Sequence, residues 1–398
     1  MPFDAYILEW LNLMLRWAHI ITGIAWIGSS FYFIWLDARL NVPPRDPESP
    51  DVAGDLWAVH GGGFYHSQKY KVAPAELPEP LHWFKWEAYW TWITGFLLLT
   101  AVYYFGAGAL LVDPAVADID ATTAIVMSLL LLPAGWWLYS GLCRLGLRGA
   151  GFTLAGAALV LALCFGACHL YGGRGAYMQI GVMLGTIMVA NVWRVIIPAQ
   201  KQLVAAKLAG AEPDARLGAR AKQRSVHNNY LTLPVVFVMI SPHFAFTYAH
   251  KYGWLVLFVI LVAGALLRHY FNLRNQGRHV VALPIAVGVA GAILALALAP
   301  RDSGSAAAGG ALEAFADVHR IISARCVPCH SATPTHPTAP AAPAGVRFDT
   351  AREIKAWSPR IFERVVVTRT MPLSNLTGIT DEERAAIARW YAGGARTD

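Results

Sequence analysis

Eight times along this chain the sequence runs for about the length a bilayer demands with few or no charged residues, and that repetition limits the fold before any motif is considered. The runs cover residues 11–36, 89–112, 122–139, 152–171, 177–197, 230–248, 254–271 and 280–299. In hydrocarbon every backbone N–H and C=O must be satisfied within the structure itself, so segments of this kind span as helices. Composition agrees. Of the residues, 56% are hydrophobic and 14% charged, too apolar for an ordinary soluble protein. The 15 tryptophans and 15 tyrosines, many at the ends of the runs, suit interfacial belts. A net charge of +7 does not argue for nucleic acid, because the basic residues cluster in the connections between runs.

Those connections set an orientation. Arg144 and Arg148, then Lys201, Lys207, Arg216, Arg220, Lys222 and Arg224, then Arg274 and Arg278, follow the third, fifth and seventh runs. The alternate connections carry Asp113, Asp118 and Asp120, a lone Arg174, or a lone Lys251. By the positive-inside rule the basic ends are cytoplasmic, and an even number of spans puts both termini outside. No cleavable signal peptide is evident, because the first apolar stretch is too long and lacks a basic start. The expected architecture is an all-α, polytopic eight-helix bundle over residues 1–299 in a bacterial inner membrane, multi-pass. It is followed by a linker, 300–310, rich in Gly, Ala and Ser, and a periplasmic domain, 311–398.

That last domain carries the most specific motif in the chain, Cys326-Val327-Pro328-Cys329-His330. A C-x-x-C-H run is the attachment signature of a c-type haem, with Cys326 and Cys329 bonded to the vinyl groups and His330 as an axial iron ligand. A zinc site would want a second Cys/His pair at ligand spacing, and a thioredoxin-like site a surrounding strand and helix. Neither is visible. A helix over 312–325 should close at Cys326, and Thr380 with Glu383 forms a capping box for a last helix. Between them Met371-Pro372 offers a thioether as the second axial ligand, and Met371 is the only methionine of the domain. The alternative for Met371 is a core methionine. The expectation is a class I-like cytochrome c domain whose iron has no open position and carries electrons only. A Pro- and Ala-rich insert, 334–343, is expected as a surface loop. Cys143, Cys164 and Cys168 read as buried, inert thiols.

Substrate chemistry must then sit in the membrane part. The cytoplasmic connection 37–86 contains His60-Gly61-Gly62-Gly63-Phe64-Tyr65-His66-Ser67-Gln68-Lys69-Tyr70, where three glycines would let backbone approach a ligand; the alternative is an ordered loop that packs under the bundle. A faint internal repeat sets Gly23 on Gly185 and Arg39 on Lys201, so a 4+4 duplication is an option. Polar residues within spans are functional candidates by default. Among them Arg268, Arg274 and Lys85 read as snorkelling interface residues. An intramembrane b-type haem is a further expectation, with His19 and either His169 or His243 as ligands; it would shorten the electron path to the cytochrome.

The run Trp17-Ala18-His19-Ile20-Ile21-Thr22-Gly23-Ile24-Ala25-Trp26-Ile27-Gly28, the 60–70 motif, the 225–232 stretch and the terminal C-x-x-C-H together resemble the bacterial membrane-bound, cytochrome c-linked urate oxidases. The first span alone is also similar to membrane protoporphyrinogen oxidases, which hold a b haem through a histidine at that position. The resemblance implies oxidation of urate to 5-hydroxyisourate with water as the oxygen source. Electrons would leave through the c haem to a soluble or membrane acceptor of the respiratory chain, and no hydrogen peroxide would form. A flat purine anion wants stacking, a cation, and amide or imidazole partners. His60, His66, Lys69, Tyr70, Arg194, His227, Asn228 and Asn229 are the candidate substrate or catalytic residues. Two rival readings remain open at this point: a quinol-to-cytochrome electron relay, and a transporter with a redox-sensing cytochrome domain.

Overall fold

The computed structural model describes residues 3–41, 51–299, 314–339 and 341–397. The linker 300–310, Leu312 and part of the connection after the first helix lie outside those residues, as does one residue of the Pro- and Ala-rich insert.

The first apolar run folds as one helix, α1 (Phe3–Arg39), with Trp17, Ile21 and Ile24 facing outward. Beside it runs α2 (Trp86–Leu98), which continues through a π-helical stretch, Leu99–Tyr104, into a short turn at Ala107–Leu110. The bundle continues with α3 (Ala121–Arg144), α4 (Gly149–Cys168), α5 (Gly173–Leu208, with a π-helical turn at Val192–Ile196), α6 (Ala215–Ile240), α7 (Gly253–Asn275) and α8 (Ala282–Ala297). Among the described residues, five helices are long and apolar enough to cross a membrane: Tyr6–Arg39, Ala121–Arg144, Gly149–Cys168, Gly173–Leu208 and Gly253–Asn275. The other three expected spans fall on α2 with its π-helical extension, on α6, whose first half is charged, and on α8, which has 16 residues.

Helix α5 is the axis of the bundle. Tyr177, Ile180, Met183 and Leu184 on it are buried, with Tyr171 and Leu257 in the same core. Small residues let its neighbours come close. A methyl group added at Gly135 would collide with Met183, and one at Gly181 with Val238.

The structure differs from the sequence expectation in two places that matter. Residues 201–224, read as a basic loop, are helical on both sides of a turn: α5 runs on to Leu208 and α6 begins at Ala215, capped by Asp214. The residues there have good helix propensity, and loss of apolar character marks only the end of the buried stretch, not the end of the helix. The connection 37–86 departs from an all-α fold as well, for it holds an antiparallel hairpin, β1 (Val52–His60) and β2 (Gly63–Tyr70). Gly61 and Gly62 close it with φ of 59° and 82°, the left-handed pair that a tight hairpin turn requires. Those two glycines therefore serve the turn.

After the bundle, α9 (Phe315–Arg325), α10 (Ala351–Ile361) and α11 (Asp381–Ala392) surround a core of their own, built on Val318, Ile322, Ile354, Ile361, Ile387 and Trp390. Thr380 and Glu383 form the expected capping box, and Thr350 with Glu353 forms another on α10. This unit sits at the end of the bundle away from the hairpin. Ser374 Oγ reaches the carbonyls of Val112 at 2.6 Å and Ala109 at 3.3 Å.

Candidate functional site

One cavity of 1940 Å³ runs from between α1, α2, α5 and α6 out to the C-terminal unit. Its walls include His19, His169 and His243 on the bundle side and Cys326, Cys329, His330 and Met371 on the other. Every histidine and cysteine singled out as a haem-binding candidate thus borders the same space.

In the C-terminal unit, the turn after α9 is set by backbone bonds from Cys329 N and His330 N to the Cys326 carbonyl. The His330 Nδ1 lies 3.1 Å from the Val346 carbonyl. A carbonyl only accepts, so Nδ1 carries the proton and Nε2 is left as the free lone pair, the arrangement of an oriented metal ligand. Burial holds His330 below its ordinary pKa despite that hydrogen bond, which keeps the ring neutral. Burial also pushes the Cys326 thiol up to about 12 and raises that of Cys329. Both cysteines are free thiols rather than a disulfide. Met371 packs at the edge of the core, its N–H bonded to the Arg364 carbonyl. Among the described residues no three His, Cys, Asp or Glu side chains converge to hold a bare ion. Two thiols, a neutral imidazole with a free Nε2 and a thioether around one cavity fit a porphyrin instead, which brings four ligands of its own.

His19 repeats the pattern inside the bundle. Its Nδ1 lies 3.0 Å from the Thr91 carbonyl and 3.1 Å from Thr94 Oγ1, so Nε2 is again the free nitrogen. Gly95 makes room for the ring, since a Cβ there would lie 2.9 Å from His19 Cε1. Gly23 and Gly185, which the faint repeat aligns, both border the same cavity. His169 donates Nδ1 to the Phe165 carbonyl at 2.8 Å, and His243 sits on a 3-10 turn beyond α6 rather than within the span.

The candidate substrate residues separate into groups. On the hairpin, His66 stacks on Trp57 at 4.3 Å and bonds Asp55 at 2.8 Å. Lys69 pairs with Asp37, Tyr70 donates to Gln68 at 3.3 Å, and His60 is exposed. Arg194 is also exposed, over the ring of Trp193 at 5.4 Å. His227, Asn228 and Asn229 do come together with buried polar groups. Tyr139 Oη and His227 Nδ1 are 2.8 Å apart, and Phe152 stacks on the imidazole. Asn228 accepts from Asn191 Nδ2 at 2.9 Å and donates to the Met188 carbonyl at 2.9 Å. Asn229 Oδ1 accepts from Arg268 Nε at 2.8 Å and from Asn272 Nδ2 at 3.1 Å, while its Nδ2 reaches Ser30 Oγ at 3.3 Å.

Sequence reasoning missed Arg224, Arg268, Asn272 and Tyr139 as members of this cluster. Arg268 reads as a snorkelling side chain and Arg224 as a loop charge, yet both are buried. Helical spacing held the signal: Arg224 precedes Asn228 by four residues, and Arg268 precedes Asn272 by four.

A family model described as urate oxidase N-terminal matches residues 5–299, which takes in the bundle and the hairpin and stops before the C-terminal unit. No curated protein and no solved structure matches the chain.

Proposed function

The chain belongs to the urate oxidase N-terminal family, and on that premise we propose that it is a membrane-bound urate oxidase that hydroxylates urate to 5-hydroxyisourate and sends the electrons out through a covalent haem. The overall change adds one water to urate and releases two protons and two electrons. In this reading the bundle is inserted in the inner membrane with both termini and the C-terminal cytochrome unit on the periplasmic side. The electrons pass to a carrier of the respiratory chain, and no hydrogen peroxide forms.

The observation that carries the reading is the single cavity bordered by His19 at one end and by Cys326, Cys329, His330 and Met371 at the other. A donor bound in the bundle and an acceptor in the C-terminal unit would share it without a protein wall between them. Cys326 and Cys329 would hold the haem covalently, and His330 and Met371 would supply nitrogen and sulfur ligands to its iron. His19, joined by His169 or His243, would hold a second haem within the bundle. Haem, when bound, takes up and passes on one electron at a time, so two such groups would match a two-electron oxidation. The chain's own residues do the rest. The Thr91 carbonyl and the Thr94 hydroxyl fix the His19 ring, and the Val346 carbonyl fixes that of His330.

The test is anaerobic addition of urate to the oxidised full-length protein in detergent, read in the visible spectrum. Prompt haem reduction is expected, lost when Cys326 is replaced by alanine, with a second reduced band from the bundle. Absence of reduction by urate in a protein that dithionite reduces normally would sink the proposal.

A further inference from the structure

We propose that Arg224 and Arg268, with the asparagines between them, form the binding site for an organic anion of the purine class; the purine assignment rests on the urate reading above. The argument starts from charge. Arg224 is 3% exposed and Arg268 5% exposed, and a guanidinium does not shed its proton. Among the described residues no carboxylate lies within ion-pair distance of either one. Arg268 lies over the Phe31 ring at 3.8 Å and Arg224 over that of Tyr139 at 4.8 Å. Its remaining hydrogen bond is long, 3.4 Å from Nη1 to Asn191 Oδ1, and its Nε has no partner. Ring faces and amide dipoles offset only part of the cost of burying a cation in a low-dielectric interior. Two such cations, one on the Asn191 and Tyr139 side of α6 and the other on its Phe31 side, call for a counter-anion.

The neighbouring groups state what kind of anion. Asn228 and Asn229 are adjacent on α6, one tied through Asn191 to Arg224 and the other bonded directly to Arg268. Asn272 keeps a buried Oδ1 without a donor. Amides that offer both donors and acceptors, beside two guanidinium groups and flat aromatic faces, suit a planar anion edged with C=O and N–H groups better than a spherical ion. Access is at hand. Met188 and Thr232 border the cavity, and each bonds the amide layer, Met188 through its carbonyl to Asn228 Nδ2 and Thr232 Oγ1 to the Asn229 carbonyl. The cavity therefore reaches residues that bond the cluster, while the side chains of the cluster lie behind its wall.

The experiment is thermal unfolding of the full-length protein in low-chloride buffer, titrated with urate, inorganic phosphate or chloride, with anaerobic haem reduction by urate read on the same samples. Urate is expected to raise the unfolding temperature saturably. Arg224→Ala and Arg268→Ala should weaken that response about thirtyfold or more, while Arg220→Ala, an exposed control one turn away, should not. Where the alanine variants fail to fold, Asn229→Asp carries the test. It places a carboxylate on Arg268 and should unfold no lower than wild type without anion yet no longer respond to urate. Urate shifts that persist unchanged in these variants overturn the site, even if urate still reduces the haem. A shift by phosphate or chloride that depends on the arginines, without urate binding or reduction, overturns the purine assignment and the urate reading together.

Discussion

The guanidinium of Arg384 donates to the backbone carbonyl of Met371 at 2.9 Å and, through the same nitrogen, to that of Val365. Arg384 is buried on α11, so one charged side chain ties the loop that carries the candidate thioether to the last helix. Removing it leaves two buried carbonyls unmet, which costs about 2–3 kcal/mol. Arg384→Ala is expected to destabilise the C-terminal unit by that order and to free the Met371 loop. With Met371 as an axial ligand, the haem potential should then fall, and Arg384→Lys should restore part of it. Potentiometric titration of the three proteins checks this; an unchanged potential in Arg384→Ala would remove Arg384 from any role in placing Met371.

His19 is oriented by what surrounds it, and Gly95 is the tightest of those constraints. A methyl group there would lie 2.9 Å from Cε1 of the imidazole, so the ring must shift relative to its bonds to Thr91 and Thr94. On the proposed reading, in which a C-terminal haem is reduced by urate through a group held by His19, Gly95→Ala should mimic His19→Ala and slow that reduction by about tenfold or more, as expected when a reacting group is misplaced. Reduction by dithionite should be unaffected in both. Stopped-flow absorbance separates the two donors, and equal rates for wild type and Gly95→Ala with urate would count against His19 on the electron path.

What the sequence made legible was periodic or spaced by chemistry. Apolar runs of bilayer length located α3, α4 and α7 to within about five residues and α1 except for its first eight, because a helix that is apolar on every face leaves a continuous apolar run. The Thr380 and Glu383 capping box was readable because both partners lie within one turn. Where polarity rose the reading failed, as at Arg216 to Arg224, since a helix that leaves the membrane core keeps its backbone bonds but loses its apolar signature. The hairpin was missed for a related reason. Its outward Trp57, Val59 and Phe64 are exposed, so burial did not impose a clean alternation of polar and apolar residues. The candidate site was half legible. Asn228 and Asn229 stood out as polar residues at a span, but Arg268, which bonds Asn229, comes from α7, and Arg224, which bonds Asn191 beside Asn228, comes from a stretch that resembled a loop.

Glu383 gives the C-terminal unit a defined acid sensitivity. Burial raises its pKa, but the hydrogen bonds from Arg325 and the Thr380 amide and the Arg325 charge outweigh that and leave the carboxyl below its ordinary value. A carboxyl depressed in the folded state contributes stability that is fully present above its unfolded pKa and is lost as pH falls through the folded one. Stability of the unit should thus decline from the ordinary carboxylate value of about 4.5 downward. Glu383→Gln should be less stable at neutral pH and show a flatter decline through that window. Thermal melts between neutral pH and pH 3 check the difference in slope, and parallel curves would assign the acid response elsewhere.

Ser374 joins the C-terminal unit to the bundle by hydrogen bonds, and its conformation separates two effects. Its hydroxyl serves the carbonyls of Ala109 and Val112, the free C=O groups at the end of a short helical turn, and its φ is 46°, in the left-handed region. Ser374→Ala removes the hydroxyl and keeps the strained backbone, whereas Ser374→Gly removes the hydroxyl and relieves the strain. Losing the hydrogen bonds should cost about 1–3 kcal/mol of docking in either variant, with Gly the less affected in overall stability. On the proposed reading, with the docked loop as the route from the bundle to a haem in the C-terminal unit, urate-driven haem reduction should slow in both variants alike, while the haem potential and dithionite reduction stay at wild-type values. Equal slowing would tie the rate to the contact, and slowing in Ser374→Ala alone would tie it to the backbone. A wild-type rate in both would mean that electrons reach the haem without this contact.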